Sequence, residues 1–171
     1  LELTPVTPAS SVLDLWSVNS DAALAFHNAR SALHYILTAH RPARLWAPAF
    51  ICSDAISAVP KGIPVSYYPL HADLSPDTSW LTARVTEGDC VLGVDYFGRP
   101  PASGFLDFVS HHKNILWIED RAHALHPSSA PWGDWVVYSP RKLFGVPDGG
   151  IAIRNNAKAN GVAQPRYDSI S

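Results

Sequence analysis

Residues 90–119, CVLGVDYFGRPPASGFLDFVSHHKNILWIE, hold two short apolar runs separated by a turn-rich and then helical stretch. The runs at residues 90–95 (CVLGVD) and 114–119 (NILWIE) lack the polar alternation of a strand with one wet face, so each reads as a strand covered on both sides. Residues 105–112 between them read as a helix. A strand, a helix and a second strand, both strands buried, is the unit of an α/β fold with a largely parallel sheet.

The same alternation runs outward in both directions. Residues 1–20 are rich in Pro, Ser and Thr and predict an extended lead-in. From residue 21 to about 40, Leu24, Ala25, Leu33, Ile36 and Leu37 recur mostly at three- and four-residue spacings; this predicts one amphipathic helix, capped by Asp21 and ended by Pro42. Residues 44–47 form a short apolar run. A second helical pattern passes through Ile51, Ala55, Ile56 and Val59 and stops at residues 60–62. Residues 64–69, 134–138 and 150–154 read as further strands. The expected organisation is an extended lead-in at 1–20, one domain over 21–155, and a polar, loosely ordered tail at 156–171.

At 171 residues and 47% hydrophobic content, the chain suffices for one domain with a true core. A net charge of −2 gives no electrostatic reason for nucleic acid or an anionic membrane as partner, which leaves a small molecule or another protein. No apolar run approaches the roughly 18 to 20 residues that cross a bilayer. Cys52 and Cys90 form no CxxC pair, and no histidine shares a metal-ligand spacing with Cys or a carboxylate, so no metal is expected. With no signal-peptide pattern, a reducing cytoplasm is the expected setting. The chain starts at Leu1 and contains no Met, the expected mark of a fragment or processed form.

In a parallel α/β sheet, ligands sit beyond the carboxyl ends of the strands. Those ends read Pro48-Ala49-Phe50, Asp95-Tyr96-Phe97-Gly98, Glu119-Asp120-Arg121-Ala122-His123 and Ser139-Pro140-Arg141-Lys142. A carboxylate and a lysine therefore fall on one rim. Pyridoxal phosphate chemistry needs that pair: an amine to form the imine, and an acid to keep the ring nitrogen protonated. By spacing alone the same residues also fit a helix-capping aspartate and a solvated surface lysine.

The string WIEDRAHAL (117–125), followed by VVYSPRKLFGVPDGGIAI (136–153), resembles the DegT/DnrJ/StrS family of fold-type-I sugar aminotransferases. In that family a strand ending in Glu-Asp-x-Ala-(His or Gln)-Ala precedes, by about twenty residues, a Ser, the cofactor lysine and an acidic-Gly-Gly turn. Three upstream strings fit in order: FHNARSALHYIL (26–37) to the phosphate-cradling helix start, APAFICSDAISAV (47–59) to the Pro-x-(Phe or Tyr)-Thr segment, and VDYFGRP (94–100) to the Tyr-Gly-x-Pro turn. The resemblance implies a mostly parallel central sheet flanked by helices, as in the large domain of the aspartate aminotransferase-like enzymes, incomplete before the small domain.

It also implies pyridoxal 5'-phosphate as cofactor, with Lys142 as the Schiff-base lysine that shuttles a proton on the substrate, and Asp120 as partner of the pyridine nitrogen. A lysine in that role is expected to be partly buried. His123 would contact the phenolic oxygen. The N–H groups at Ala29 and Arg30 would grip the phosphate, with Ser139 adding a hydroxyl, and Phe50 or Cys52 would stack on the ring. Three departures stand out. Ala29 replaces a glycine, the lysine motif Ser-Pro-Arg-Lys is shorter than usual, and Arg121 replaces a small residue and is free to meet substrate, phosphate or solvent.

The implied activity is transfer of an amino group from an amino acid such as glutamate to a keto sugar or similar carbonyl, by a homodimer in the full-length form. Lys142 speaks against dehydratase relatives, which carry histidine there. A catalytically degenerate or truncated module acting by binding or protein contacts is the alternative from another class. No Gly-x-Gly-x-x-Gly turn supports a dinucleotide.

Overall fold

A computed structural model describes residues 23–124 and 126–155. The elements in chain order are β1 (Ala23–Phe26), α1 (Ala29–His40), β2 (Leu45–Pro48), α2 (Ser53–Ile56), β3 (Val65–Tyr68), α3 (Thr78–Thr82), β4 (Cys90–Val94), α4 (Ser103–His111), β5 (Leu116–Asp120), β6 (Trp135–Tyr138) and β7 (Gly150–Arg154). Single 3₁₀ turns follow β4 at Tyr96–Gly98 and β6 at Pro140–Lys142. All strands join one sheet in the order β1-β7-β6-β5-β4-β2-β3. The block from β6 to β3 is parallel, whereas β7 runs antiparallel to both β6 and β1. The expected α/β architecture with a mostly parallel sheet is the one found.

Strand parity sends alternate residues to two cores. Leu92 of β4 and Ile118 of β5 face α1, where Ala32, Leu33, Ile36 and Leu37 are buried against them with Val137 and Ala152. Val91 and Trp117, one position away, face α4 and pack with Phe105, Phe108, Val109 and Trp132. Leu33, Ile36 and Leu37 each contribute about 2 kcal/mol of hydrophobic stabilisation, which holds the helix flat on the sheet.

Two helices differ from the sequence expectation. The one predicted from residue 21 begins at Ala29: Leu24 and Ala25 instead lie in β1, paired with Ala152 and Ile151 of β7. Edge pairing on β7 outweighs the local helical spacing. The cap is Asn28, whose Oδ1 accepts from the Ser31 N–H at 2.9 Å; Asp21, the expected cap, lies outside the described residues. The helix expected over 51–59 shrinks to one turn, α2, because no residue within it is buried and Cys52 makes no side-chain cap. Helix α3, capped by Asp77 on the Trp80 N–H, was not legible in the apolar spacing. The lead-in at 1–20 and the tail at 156–171 lie outside the described residues.

Candidate functional site

The carboxyl ends of β2, β4, β5 and β6 open on one rim, and β1, running in the same direction as β6, delivers the start of α1 to it. Between them lies a cavity of about 530 Å³. All eight residues selected from the sequence line it: Ala29, Arg30, Phe50, Cys52, Asp120, His123, Ser139 and Lys142.

Each side chain arrives for a local reason. Ser139 and Lys142 stand three residues apart across the turn Pro140–Lys142, closed by the Lys142 N–H on the Ser139 carbonyl at 3.0 Å. A 3₁₀ turn eclipses positions i and i+3, so the short Ser-Pro-Arg-Lys motif still presents both residues to the same space. Pro140 suits the first position of that turn, where its missing N–H costs nothing. Lys142 is exposed, contrary to the partial burial expected of it. It leaves the sheet on a turn, past the last residue that β6 covers.

Helix α1 points its amino end at the cavity. The first-turn N–H groups of Ala29 and Arg30 have no partner within the helix, and the peptide dipoles favour an anion there. The Arg30 guanidinium lies 3.3 Å from Asp54, which lines the same cavity. The approach of α1 to β7 depends on Gly150: a Cβ there would lie 2.1 Å from the Asn28 carbonyl carbon and 2.5 Å from the Ala29 nitrogen. The Asp148-Gly149-Gly150 turn holds the same point by the Gly149 N–H on the His27 carbonyl (2.7 Å) and a His27–Asp148 contact of 3.1 Å.

Asp120, the last residue of β5, accepts the Ala122 N–H at 2.8 Å and has no ion-pair partner within 4 Å among the described residues. Burial pushes its carboxyl above the usual carboxylate range; the Ala122 N–H, Lys142 and His123 act in the opposite direction. Ser139 Oγ is buried and has no hydrogen-bond partner among the described residues. A carboxylate short of a cation and a hydroxyl short of an acceptor, in one cavity with a helix amino end and a lysine, fit the ring nitrogen, phosphate and aldehyde of pyridoxal phosphate.

Tyr96 stands in the strand-end run 95–98, and its place at the rim is the signal of it in the sequence. It lines the cavity, donates its hydroxyl to the Phe50 carbonyl, and tilts its ring against Phe50 at a centroid distance of 5.8 Å. Its own hydroxyl is pushed up to about 12, by burial first and by Asp120 second. The exposed Phe97 stacks on His123 at 6.3 Å. Gly98 makes that approach possible: its φ is +74°, and a Cβ would sit 3.0 Å from the His123 carbonyl oxygen. Asp54 and Arg141 also reach the cavity.

Arg121 corrects the expectation that it meets substrate, phosphate or solvent. Its side chain is 11% exposed and turns to the far face of the sheet, 2.5 Å from Asp95 Oδ2 and 3.2 Å from Glu119 Oε1. Counting by twos along β5 gives the reason: Trp117, Glu119 and Arg121 share one side, and Asp120 takes the other.

No family model matches the sequence, and no curated protein matches it. Solved structures do. NtdA from Bacillus subtilis with bound cofactor PMP is 19% identical with a TM-score of 0.72, over 85% of this chain and 36% of that one. DesI in the presence of its TDP-sugar product is 24% identical with a TM-score of 0.68, over 86% of this chain and 40% of that one. The aminotransferase from Psychrobacter cryohalolentis is 18% identical with a TM-score of 0.63, over 85% and 40%. The chain spans less than half the length of each of these proteins. Its fold is thus that of part of a pyridoxal-phosphate-dependent aminotransferase, the architecture that resemblance to the DegT/DnrJ/StrS family leads one to expect.

Proposed function

We propose that the cavity binds pyridoxal 5'-phosphate and that the chain is the cofactor-binding portion of an aminotransferase acting on a keto sugar or similar carbonyl, with an amino acid such as glutamate as donor. The observation that carries this reading is the shared cavity of Asp120, Lys142, the α1 amino end and the unpartnered Ser139 hydroxyl. When bound, the cofactor supplies an electron sink for charge developing on the substrate. Asp120 holds the proton at the ring nitrogen. Ala29 and Arg30 N–H groups and the Ser139 hydroxyl bind the phosphate, and Phe50 or Cys52 packs on the ring. His123 orients the phenolic oxygen. Lys142 would hold the cofactor through its amine and, once displaced by the amino donor, would take the proton from the substrate carbon that bears nitrogen.

A cytoplasmic setting suits the two free thiols, Cys52 and Cys90. Among the described residues no helix is long and apolar enough to cross a membrane. The full-length form acts as a homodimer in this reading, whose small-molecule partners are the amino donor and the carbonyl acceptor.

The test uses the whole chain with pyridoxal phosphate. The unmodified protein turns yellow, and borohydride fixes the cofactor on Lys142, as peptide mapping by mass spectrometry reads directly. Lys142→Ala loses both signals while its melting temperature stays put, since the side chain is exposed. An unmodified protein that takes up no cofactor, or carries it on another residue, refutes the reading.

A further inference from the structure

The far side of the cavity floor carries a charge cluster that the proposed chemistry does not use. Asp95 and Glu119 are 1% and 0% exposed, and both face the Arg121 guanidinium. Trp132 adds its indole N–H to Asp95 Oδ1 at 3.2 Å, and the Trp132 and Gly133 N–H groups reach Glu119 Oε2 at 2.8 and 3.2 Å. Two glycines make room for these contacts. A Cβ on Gly93 would lie 2.5 Å from the Trp132 ring, and one on Gly133 would lie 2.9 Å from the Glu119 nitrogen. Asp95 directly precedes Tyr96, and Arg121 directly follows Asp120. The cluster therefore joins the ends of β4 and β5 behind the two residues that line the cavity in front, where the Asp95 N–H also meets the Asp120 carbonyl at 2.9 Å.

We propose that Arg121, clamped between Asp95 and Glu119, is a positioning residue that locks the β4 and β5 ends together and so fixes Asp120 and Tyr96 in the cavity floor. This rests on the reading of that cavity as a pyridoxal phosphate site. A buried guanidinium held by two carboxylates cannot swing without stranding a charge, so the lock is stiff where a surface ion pair is not. Two carboxylates share one guanidinium, so the carboxyls of the cluster outnumber its cation by one. Burial, and then the Glu119 charge, pushes the Asp95 carboxyl up to about 7, against Arg121 and the Trp132 N–H, with Asp120 adding in the same direction as Glu119. Tyr138 of β6 faces the same group of charges.

The test compares Asp95→Asn, Arg121→Met and the double variant, each as the whole chain. Without cofactor, deuterium exchange is followed in peptides spanning 95–99 and 120–124. Either single change should speed exchange about tenfold in both segments together, and the second change should add little to the first, as expected for two partners in one contact. With pyridoxal phosphate, both variants should bind about tenfold more weakly and move the pH midpoint of the bound chromophore by about half a unit, while borohydride still fixes the cofactor on Lys142. Arg121→Lys, which keeps the charge, should recover most of the affinity. If Arg121→Met does not fold, Asp95→Asn carries the comparison, since the amide preserves size and a hydrogen-bonding oxygen.

Exchange that changes in one segment only, or single effects that simply add, overturns the lock. Affinity and chromophore midpoint unchanged beside altered exchange overturn the positioning role. An unmodified chain that takes up no cofactor refutes the site reading and with it positioning toward that group; the exchange comparison still decides the lock.

Discussion

Gly150→Ala puts the smallest possible load on the junction between β7 and α1. The added carbon would stand 2.1, 2.4 and 2.5 Å from three backbone atoms of Asn28 and Ala29. Carbon atoms in contact settle near 3.5 to 4.0 Å, so the helix start must retreat by more than about 1 Å. Overpacking that flexible side chains can absorb costs about 1 to 3 kcal/mol. Here the neighbours are backbone, tied by the Asn28 cap and the Gly149–His27 hydrogen bond, so about 3 kcal/mol is expected. At about 3 °C per kcal/mol for a domain of this size, melting should fall by about 9 °C. The same retreat carries the Ala29 and Arg30 N–H groups out of line, and cofactor affinity should drop at least tenfold, about 1.4 kcal/mol. Circular-dichroism melting and a cofactor titration measure the two. Gly104→Ala is the control: no atom lies within 4 Å of its added carbon, and helical Ala is favoured over Gly. A Gly150→Ala protein that melts within about 2 °C of its parent and binds cofactor equally well would refute the reasoning.

Ser139→Ala should leave the cofactor-free protein as stable as before or slightly more so, because it removes a buried hydroxyl with no partner, yet weaken cofactor binding about tenfold through loss of one hydrogen bond to a charged oxygen. Melting with and without pyridoxal phosphate separates the two effects. Asn28→Ala removes the α1 cap and should cost about 1 kcal/mol, or about 3 °C in melting temperature, restored by Asn28→Asp, which caps as well.

The interior strands were legible because they are buried on both faces, so composition and length alone distinguish them. Residues 150–154 match β7 throughout, and 90–95 and 134–138 miss β4 and β6 by one residue. The edges were not. Residues 23–26 become a strand through a partner more than a hundred positions away, which local spacing does not contain. The rim residues were legible by rule, since polar side chains after apolar runs sit where a parallel sheet binds ligands. Which side of the sheet each one takes needed one further step. Parity along β5 separates Asp120 from Glu119 and Arg121, and parity along β4 sends Asp95 behind the floor while Leu92 and Val94 line the cavity. The link between Arg121 and Asp95 spans 26 positions and two strands, and follows only once β4 and β5 are known to be neighbours.

The register Val94↔Asp120 and Gly93↔Glu119 between β4 and β5 has a consequence for how this sequence can vary. A slip of one residue in β5 would turn Glu119 and Arg121 into the cavity and bury Asp120 against Trp132, exchanging the contents of the two faces at once. Insertions and deletions should therefore be tolerated in the 126–131 loop but not within residues 116–121. The two functions of that short segment, anchoring and display, are inherited together or lost together.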